Sequence, residues 1–450
     1  GDVGRFAVAA VPLTVTVHIV DTSLNPGDLS SSVTFEFSED VTGFDISDVL
    51  VSGGTLSGFS GSGSVYTATF TASDGVVAIG SVSVSAGTYT DLAGNSGGAG
   101  SDTVAINTGD AASNELTLPV GDRSYELLLE GNDLVVRVAG GGELLRRDVS
   151  QVPLLTLVGS PDADNIQIMT AVSVPILFNG GDGNDTFNAA LATASVMLFG
   201  EGGNDSLFGG SAGDSLEGGT GDDSIRANGG LDTVFGGDGD DSLYGGAQVD
   251  FLQGGAGNDL VDGQGSTGDS VGGGPGDDTI NGGTGNDVLY ESGDADMTVT
   301  NSAMTGGLGI DVLIGVERAY LIGGPSANRI DISGFFVPGF TTSTVFGGDG
   351  DDTLIGSQAN EVLRGDQGDD SLIGNGGNDY LAGGAGSDTL DGGDGDDRLR
   401  GQGGSGDRLT GGPGKNDLNG GAGNDLMVEF VTGDALINRD NRFETDIRSR

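Results

Sequence analysis

Gly200–Tyr290 reads GEGGNDSLF GGSAGDSLE GGTGDDSIR ANGGLDTVF GGDGDDSLY GGAQVDFLQ GGAGNDLVD GQGSTGDSVG GGPGDDTIN GGTGNDVLY, ten tandem copies of one nine-residue phrase with a single extra residue in the eighth. A second block, Gly347–Val428, repeats the phrase nine more times, and lone copies stand at Gly180–Asn188 and Gly306–Ile314. A fixed internal period outranks other signals in a sequence because it dictates a repeating architecture.

The phrase is G-G-x-G-x-D-x-U-x, with U aliphatic. Position six carries Asp205, Asp214, Asp223, Asp232, Asp241, Asp250, Asp259, Asp269, Asp278 and Asp287 in the first block. In the second block it carries Asp352, Glu361, Asp370, Asp379, Asp388, Asp397, Asp407, Asn416 and Asp425, and the lone copies add Asp185 and Asp311. Position eight is aliphatic or Met throughout, from Leu207 to Met427. The second block also holds one ten-residue copy, Gly401–Thr410, and both ten-residue copies keep the acid and the aliphatic two apart, which places each insertion in the glycine-rich half.

A glycine-rich hexapeptide allows positive φ and tight turning. The x-U-x that follows reads as a short strand with its middle side chain turned inward. Two turns and two strands make one coil, and stacked coils bury the U column from both sides. Coils in such a stack lie about 4.8 Å apart, so the acids of position six form a row along each edge. Bare carboxylates at that spacing repel one another. A hard cation between them resolves the conflict, and calcium takes six to eight oxygens from carboxylates and backbone carbonyls in irregular geometry.

On these residues the chain resembles the RTX (repeats-in-toxin) calcium-binding nonapeptide proteins. The resemblance implies an all-β chain with a right-handed parallel β-roll, or β-helix solenoid. It also implies multiple Ca2+ ions between the turns of repeats k and k+2, held by the aspartates named above and by the carbonyls of positions one, three and five. Glu361, Asn416 and the pair Ala227-Asn228 depart from the phrase, so weaker or empty sites are expected there. A disordered glycine-rich tract is the competing reading; such tracts do not hold an aliphatic residue in strict register.

Composition sets outer limits. Of 450 residues, 90 are Gly and none Cys; 67 acids face 17 bases, a formal net charge of −50. That charge argues against nucleic acid and anionic membrane surfaces as partners. No run approaches the apolar length of a transmembrane segment. The chain starts at Gly1 without an initiating Met or a leader, as expected for a piece of a longer protein.

Residues 11–108 read as a β-sandwich, from the alternation in Leu13–Val20, Val33–Phe37 and Val65–Phe70. FEFSEDVTGFDISDV (Phe35–Val49) and YTDLAGN (Tyr89–Asn95) resemble a bacterial immunoglobulin-like (Ig-like) domain of surface proteins and adhesins. Asp45, Asp48, Asp91 and Asn95 read first as turn residues, with an ion site as the alternative. Residues 111–178 read as strands that lead into and cap a solenoid, ending in a decayed copy with Asp164 in sixth place. The roll then occupies 179–290 and 347–428. Between them, 291–346 holds decayed copies and an apolar loop with Phe335, Phe336 and Phe340, read as a core plug or a contact patch. A tail, 429–450, follows, with Arg439, Arg442, Arg448 and Arg450.

Catalysis finds little material. His18 is the one histidine, on the Thr14 and Thr16 face of its strand, and reads as solvated. Paired acids such as Asp222-Asp223 recur at every turn, and a carboxylate engaged by calcium is a poor general acid. The reading is a non-enzyme: a secreted or cell-surface bacterial protein, structural or adhesive, folded by calcium, with a cell-surface or extracellular-matrix ligand as a further partner. The alternative is the non-catalytic, calcium-binding part of a secreted hydrolase or epimerase whose catalytic domain lies outside this chain. Ice or glycan binding by a flat face would need regular outward threonines, which position seven does not supply.

Overall fold

The computed structural model describes residues 13–428, apart from 22, 25–28, 74–76, 86, 92–93, 108–113, 122, 266–267, 340–341 and 405, together with Ala435–Asn438. It forms two compact units, Gly1–Thr186 and Phe187–Arg450. The fold is all-β, with a β-solenoid of about 15 turns after an N-terminal Ig-like domain.

In the first unit, one antiparallel sheet orders Val15–Ile19, Ser30–Phe37, Val65–Ala72 and Gly54–Ser62. A second orders Ser23–Leu24, Gly100–Asn107, Val77–Val84 and Val49–Ser52. Alternation does the work that period two requires: Val15, Val17 and Ile19 are buried while Thr16 and His18 face water. Phe35, Phe37, Phe44, Tyr66 and Tyr89 pack edge to face between the sheets. The polar turn residues act locally. Asp45 caps a short 3-10 turn by accepting from Ser47 N, 2.7 Å, and Asp91 accepts from both nitrogens of Asn95.

After the sandwich, Arg123–Glu130, Asp133–Val138 and Glu143–Asp148 form an antiparallel meander. Arg123–Glu130 also pairs in parallel with Asp164–Ile168, and Glu115–Thr117 with Leu155–Val158. The strand Glu143–Asp148 lies in the region read from the sequence as strands that cap a solenoid, and it completes this meander. Parallel pairing of coils therefore begins within this unit.

In the second unit successive strands pass to alternate sheets, and each pairs in parallel with the strand one coil on. Ser215–Thr220 pairs with Thr233–Asp238, and Ser224–Gly229 with Ser242–Ala247. The aliphatics of position eight are fully enclosed: Leu207, Leu216, Ile225, Val234, Leu243, Leu252 and Val261 are each 0% exposed. The strands outrun the expected three residues in many coils. Ser215–Thr220 continues into the next copy's glycines, with Gly219 opposite Gly237.

The segment 291–346 does not interrupt the stack. Val288–Ser292 pairs with Arg318–Ile322, which pairs with Ser343–Asp349. The other sheet makes a detour through the hairpin Met297–Thr300 and Ala303–Gly306 before Gly309–Ile314 rejoins Thr279–Asn281. Phe335 is buried and Phe336 exposed, so one ring of the apolar loop plugs and its neighbour does not; Phe340 lies outside the described residues. Past Val428, where the phrase stops, Ala435–Asn438 still pairs with Asp417–Gly421. The four tail arginines lie outside the described residues. Among the described residues, no helix is long and apolar enough to cross a membrane.

Candidate metal centre

The glycine turns place position six at the edge of each coil, with the side chain turned inward and buried. In one row, the backbone N–H of each aspartate donates to Oδ1 of the aspartate one coil ahead. Asp205 N donates to Asp223 (2.7 Å), Asp223 to Asp241, Asp241 to Asp259, Asp259 to Asp278 and Asp278 to Asp311. The opposite row runs Asp214, Asp232, Asp250, Asp269 and Asp287, ending on Glu317. Two further rows run Asn328, Asp352, Asp370, Asp388, Asp407, Asp425 and Glu361, Asp379, Asp397, Asn416. In the first unit, Asp164 N donates to Asp185 Oδ1 in the same way.

The second carboxylate oxygen is the unusual one. Oδ2 of Asp223, Asp232, Asp241, Asp250, Asp259, Asp269, Asp278 and Asp287 is buried with no hydrogen-bond partner. The same holds for Asp311, Asp352, Asp370, Asp379, Asp388, Asp397, Asp407 and Asp425. A buried, unpaired ionised oxygen is costly unless a cation meets it. Among the described residues, the arginine ion pairs of the solenoid go to Asp331, Asp366 and Asp417, outside the rows.

Most of these Oδ2 atoms border a space left by a missing side chain. A Cβ on Gly236 would collide with Asp241 Oδ2 and the carbonyl of Gly254, the first glycine one coil on. Gly218, Gly254 and Gly392 repeat the arrangement with Asp223, Asp259 and Asp397. Glycine at position one of these turns leaves room, and the room is lined by a carboxylate oxygen and a carbonyl. Among the described residues, no three His, Cys, Asp or Glu side chains converge as a metal cluster. An ion here would draw on carbonyls for most of its oxygens, which suits calcium and suits zinc or other nitrogen- and sulfur-seeking metals poorly.

Burial sets the electrostatics. It pushes the carboxyls of Asp223, Asp232, Asp259, Asp269 and Asp352 up to about 6. It takes Asp241, Asp250, Asp278 and Asp370 to about 7, with like charge from neighbouring acids adding to the rise. Desolvation and repulsion both disfavour the charged form, the pattern that a bound cation reverses.

A bacterial Ig-like domain model matches residues 9–108. The model of the RTX calcium-binding nonapeptide repeat matches eight stretches, 177–191, 197–216, 208–243, 235–267, 272–297, 342–372, 373–406 and 391–427. The chain is an RTX repeat protein with an N-terminal bacterial Ig-like domain. No curated protein matches it significantly. RTX nonapeptide repeats bind calcium, and Ca2+ is the ion that this chain's turns are built for.

The departures from the RTX phrase have distinct structural results. Asn416 turns its amide nitrogen to the carbonyl of Gly412, 3.0 Å away, so a donor stands where other turns offer an acceptor. Ala227 is a buried methyl at position one, in the space that glycine leaves empty elsewhere, although Asp232 Oδ2 stays open. Glu361 accepts from Ser357 N and Ser357 Oγ. Asp214 behaves like Glu361 although its copy keeps both opening glycines and the acid in sixth place: Gly210 N donates to its Oδ2 at 2.6 Å. Sequence reading also passed over Glu291, a buried carboxylate in the place of a first glycine. Its Oε1 accepts from Gly273 N at 2.6 Å, and burial lifts it to about 8.

Proposed function

We propose that the aspartates of the rows, with the carbonyls of neighbouring glycine turns, hold calcium along the solenoid, and that calcium drives the folding of the roll. The observation that carries this reading is the repeated buried Oδ2, left without a hydrogen-bond partner beside a glycine carbonyl. Without metal, sixteen such oxygens make the closed roll costly. With metal, each becomes a ligand, and binding free energy is then folding free energy. The ions supply positive charge between the coils; the chain supplies carboxylates, carbonyls and the dry aliphatic column that holds the turns in register.

In this reading the protein is a secreted or cell-surface structural or adhesive module, unfolded at low calcium and folded where calcium is abundant. Extracellular modules of this kind bind each ion at about 10⁻⁴–10⁻³ M. The Ig-like domain supports a structural role. A calcium titration of chelated protein followed by far-UV circular dichroism, with magnesium as control, tests the folding step. A cooperative gain of β-signal with calcium alone is expected. Full β-signal in chelator, unchanged by calcium, would overturn it.

A further inference from the structure

Among the consecutive repeats and their decayed copies the solenoid contains two kinds of turn, and they differ in one peptide unit; the lone copy at Gly306–Ile314 is of neither kind. In the consecutive repeats with an open Oδ2, position two is left-handed: Gly219, Gly237, Gly255, Gly384 and Gly393 lie at φ between +90° and +125°. Even non-glycine residues take it there, Asn228, Asp366, Asn375 and Gln402 at +70° to +79°. In four turns position two is Ser160, Gly210, Gly324 or Ser357, and none of these is left-handed. There the position-two N–H points into the turn and donates to the position-six side chain. The bonds are Ser160 N to Asp164 Oδ2 (2.7 Å), Gly210 N to Asp214 Oδ2 (2.6 Å), Gly324 N to Asn328 Oδ1 (2.8 Å) and Ser357 N to Glu361 Oε2 (3.1 Å).

Position four explains the split. In open turns it is usually glycine in a region closed to other residues: Gly221, Gly239, Gly257, Gly368 and Gly386 have φ between +117° and +145°. In the four closed turns position four is Asp162, Ala212, Ser326 or Ala359. A Cβ forbids the glycine path, the turn takes another course, and the position-two amide swings inward. Gln248 marks the boundary, a polar residue that reaches φ +80° and keeps the Asp250 turn open.

The closed turns also share a place. Asp214 and Glu361 each begin a row, since the coil before carries Val196 or Ser343 in that position. Asn328 leads the row that passes to Asp352, and Asp164 the pair with Asp185.

We propose that the turns at Asp164, Asp214, Asn328 and Glu361 take no calcium, each being closed by its own position-two amide, and that they start their rows without metal. This rests on the calcium reading of the open turns. An inward N–H repels a cation and already satisfies the oxygen that would bind it. Asn328 shows that an amide side chain serves a closed turn, so Asp→Asn there is a mild change.

The test is calcium bound at saturation, measured by equilibrium dialysis on the full chain. A triple variant D164N/D214N/E361Q is expected to bind as many ions as the parent. The triple variant D241N/D269N/D388N, in open turns, is expected to lose about one ion per substituted turn. A212G restores glycine at position four and is expected to gain about one ion; circular dichroism in calcium checks that each variant is folded. Equal losses in the two triple variants overturn the proposal. If neither triple variant loses calcium, the aspartates are not the ligands and the proposal falls with that reading.

Discussion

Asp223 and Asp241 stand one coil apart in the same row, and the backbone N–H of Asp223 donates to Oδ1 of Asp241 at 2.8 Å while Oδ2 of Asp241 has no hydrogen-bond partner. One carboxylate therefore has two separable duties. Oδ1 spaces the coils through backbone hydrogen bonding, and Oδ2 is left for an ion.

Asp241→Asn separates those duties. The amide oxygen keeps the bond to Asp223 N, and the amide nitrogen meets the glycine turn as a donor, as Asn416 does. The calcium midpoint of folding is expected to rise a few-fold, with little change in β-signal at saturating calcium. Circular dichroism titrations of the two proteins compare them directly; identical midpoints would remove Asp241 from the ligand set.

Ala227 offers the opposite change. Its methyl fills the position-one space beside Asp232, where other copies have glycine. Ala227→Gly is expected to strengthen calcium binding at that turn and lower the folding midpoint. Gly236→Ala, which drives a Cβ into Asp241 Oδ2 and the Gly254 carbonyl, is expected to raise it. The pair, read in one titration series, fails if both variants shift the same way.

The metal-free roll should respond to pH. Asp241, Asp250, Asp278 and Asp370 are raised by burial to about 7, well above the ordinary carboxylate value. A raised folded-state pKa means that the folded form binds more protons, so stability is greatest below the ordinary carboxylate value of 3.8, falls as pH rises from there, and is lost by about 7. In chelator, β-signal is expected to be retained near pH 5 and lost near pH 8, with calcium restoring it at the higher pH. A signal flat across that range would contradict the burial of these carboxyls.

Leu243 tests the column rather than the edge. It is fully buried between the two sheets, and Leu→Ala at such a site costs about 2–5 kcal/mol. In saturating calcium, Leu243→Ala is expected to lower the urea midpoint of the roll without changing the number of ions bound. A lost ion would show that the aliphatic column and the turns are not independent.

The nine-residue period, the enclosed aliphatics and the rows of acids were all legible in the chain, because each is a one-dimensional pattern that any stacked coil must repeat. Leu207 through Met427 are inside for the reason visible in the sequence: one apolar side chain per strand faces the neighbouring sheet. The strand of Glu143–Asp148 and the hairpin at Met297–Gly306 were not legible, since neither carries the phrase and both pair antiparallel with an adjacent strand. The same is true of the difference between Asp214 and Asp223. Both copies keep the opening glycines, the acid and the aliphatic, yet one carboxylate accepts its own turn's amide and the other keeps an oxygen open. That outcome follows from the sign of φ at position two and the space at position four, quantities of the folded backbone that a residue's identity constrains without stating. Composition and spacing decide that there are rows of carboxylates; the path of each turn decides which of them can face a cation.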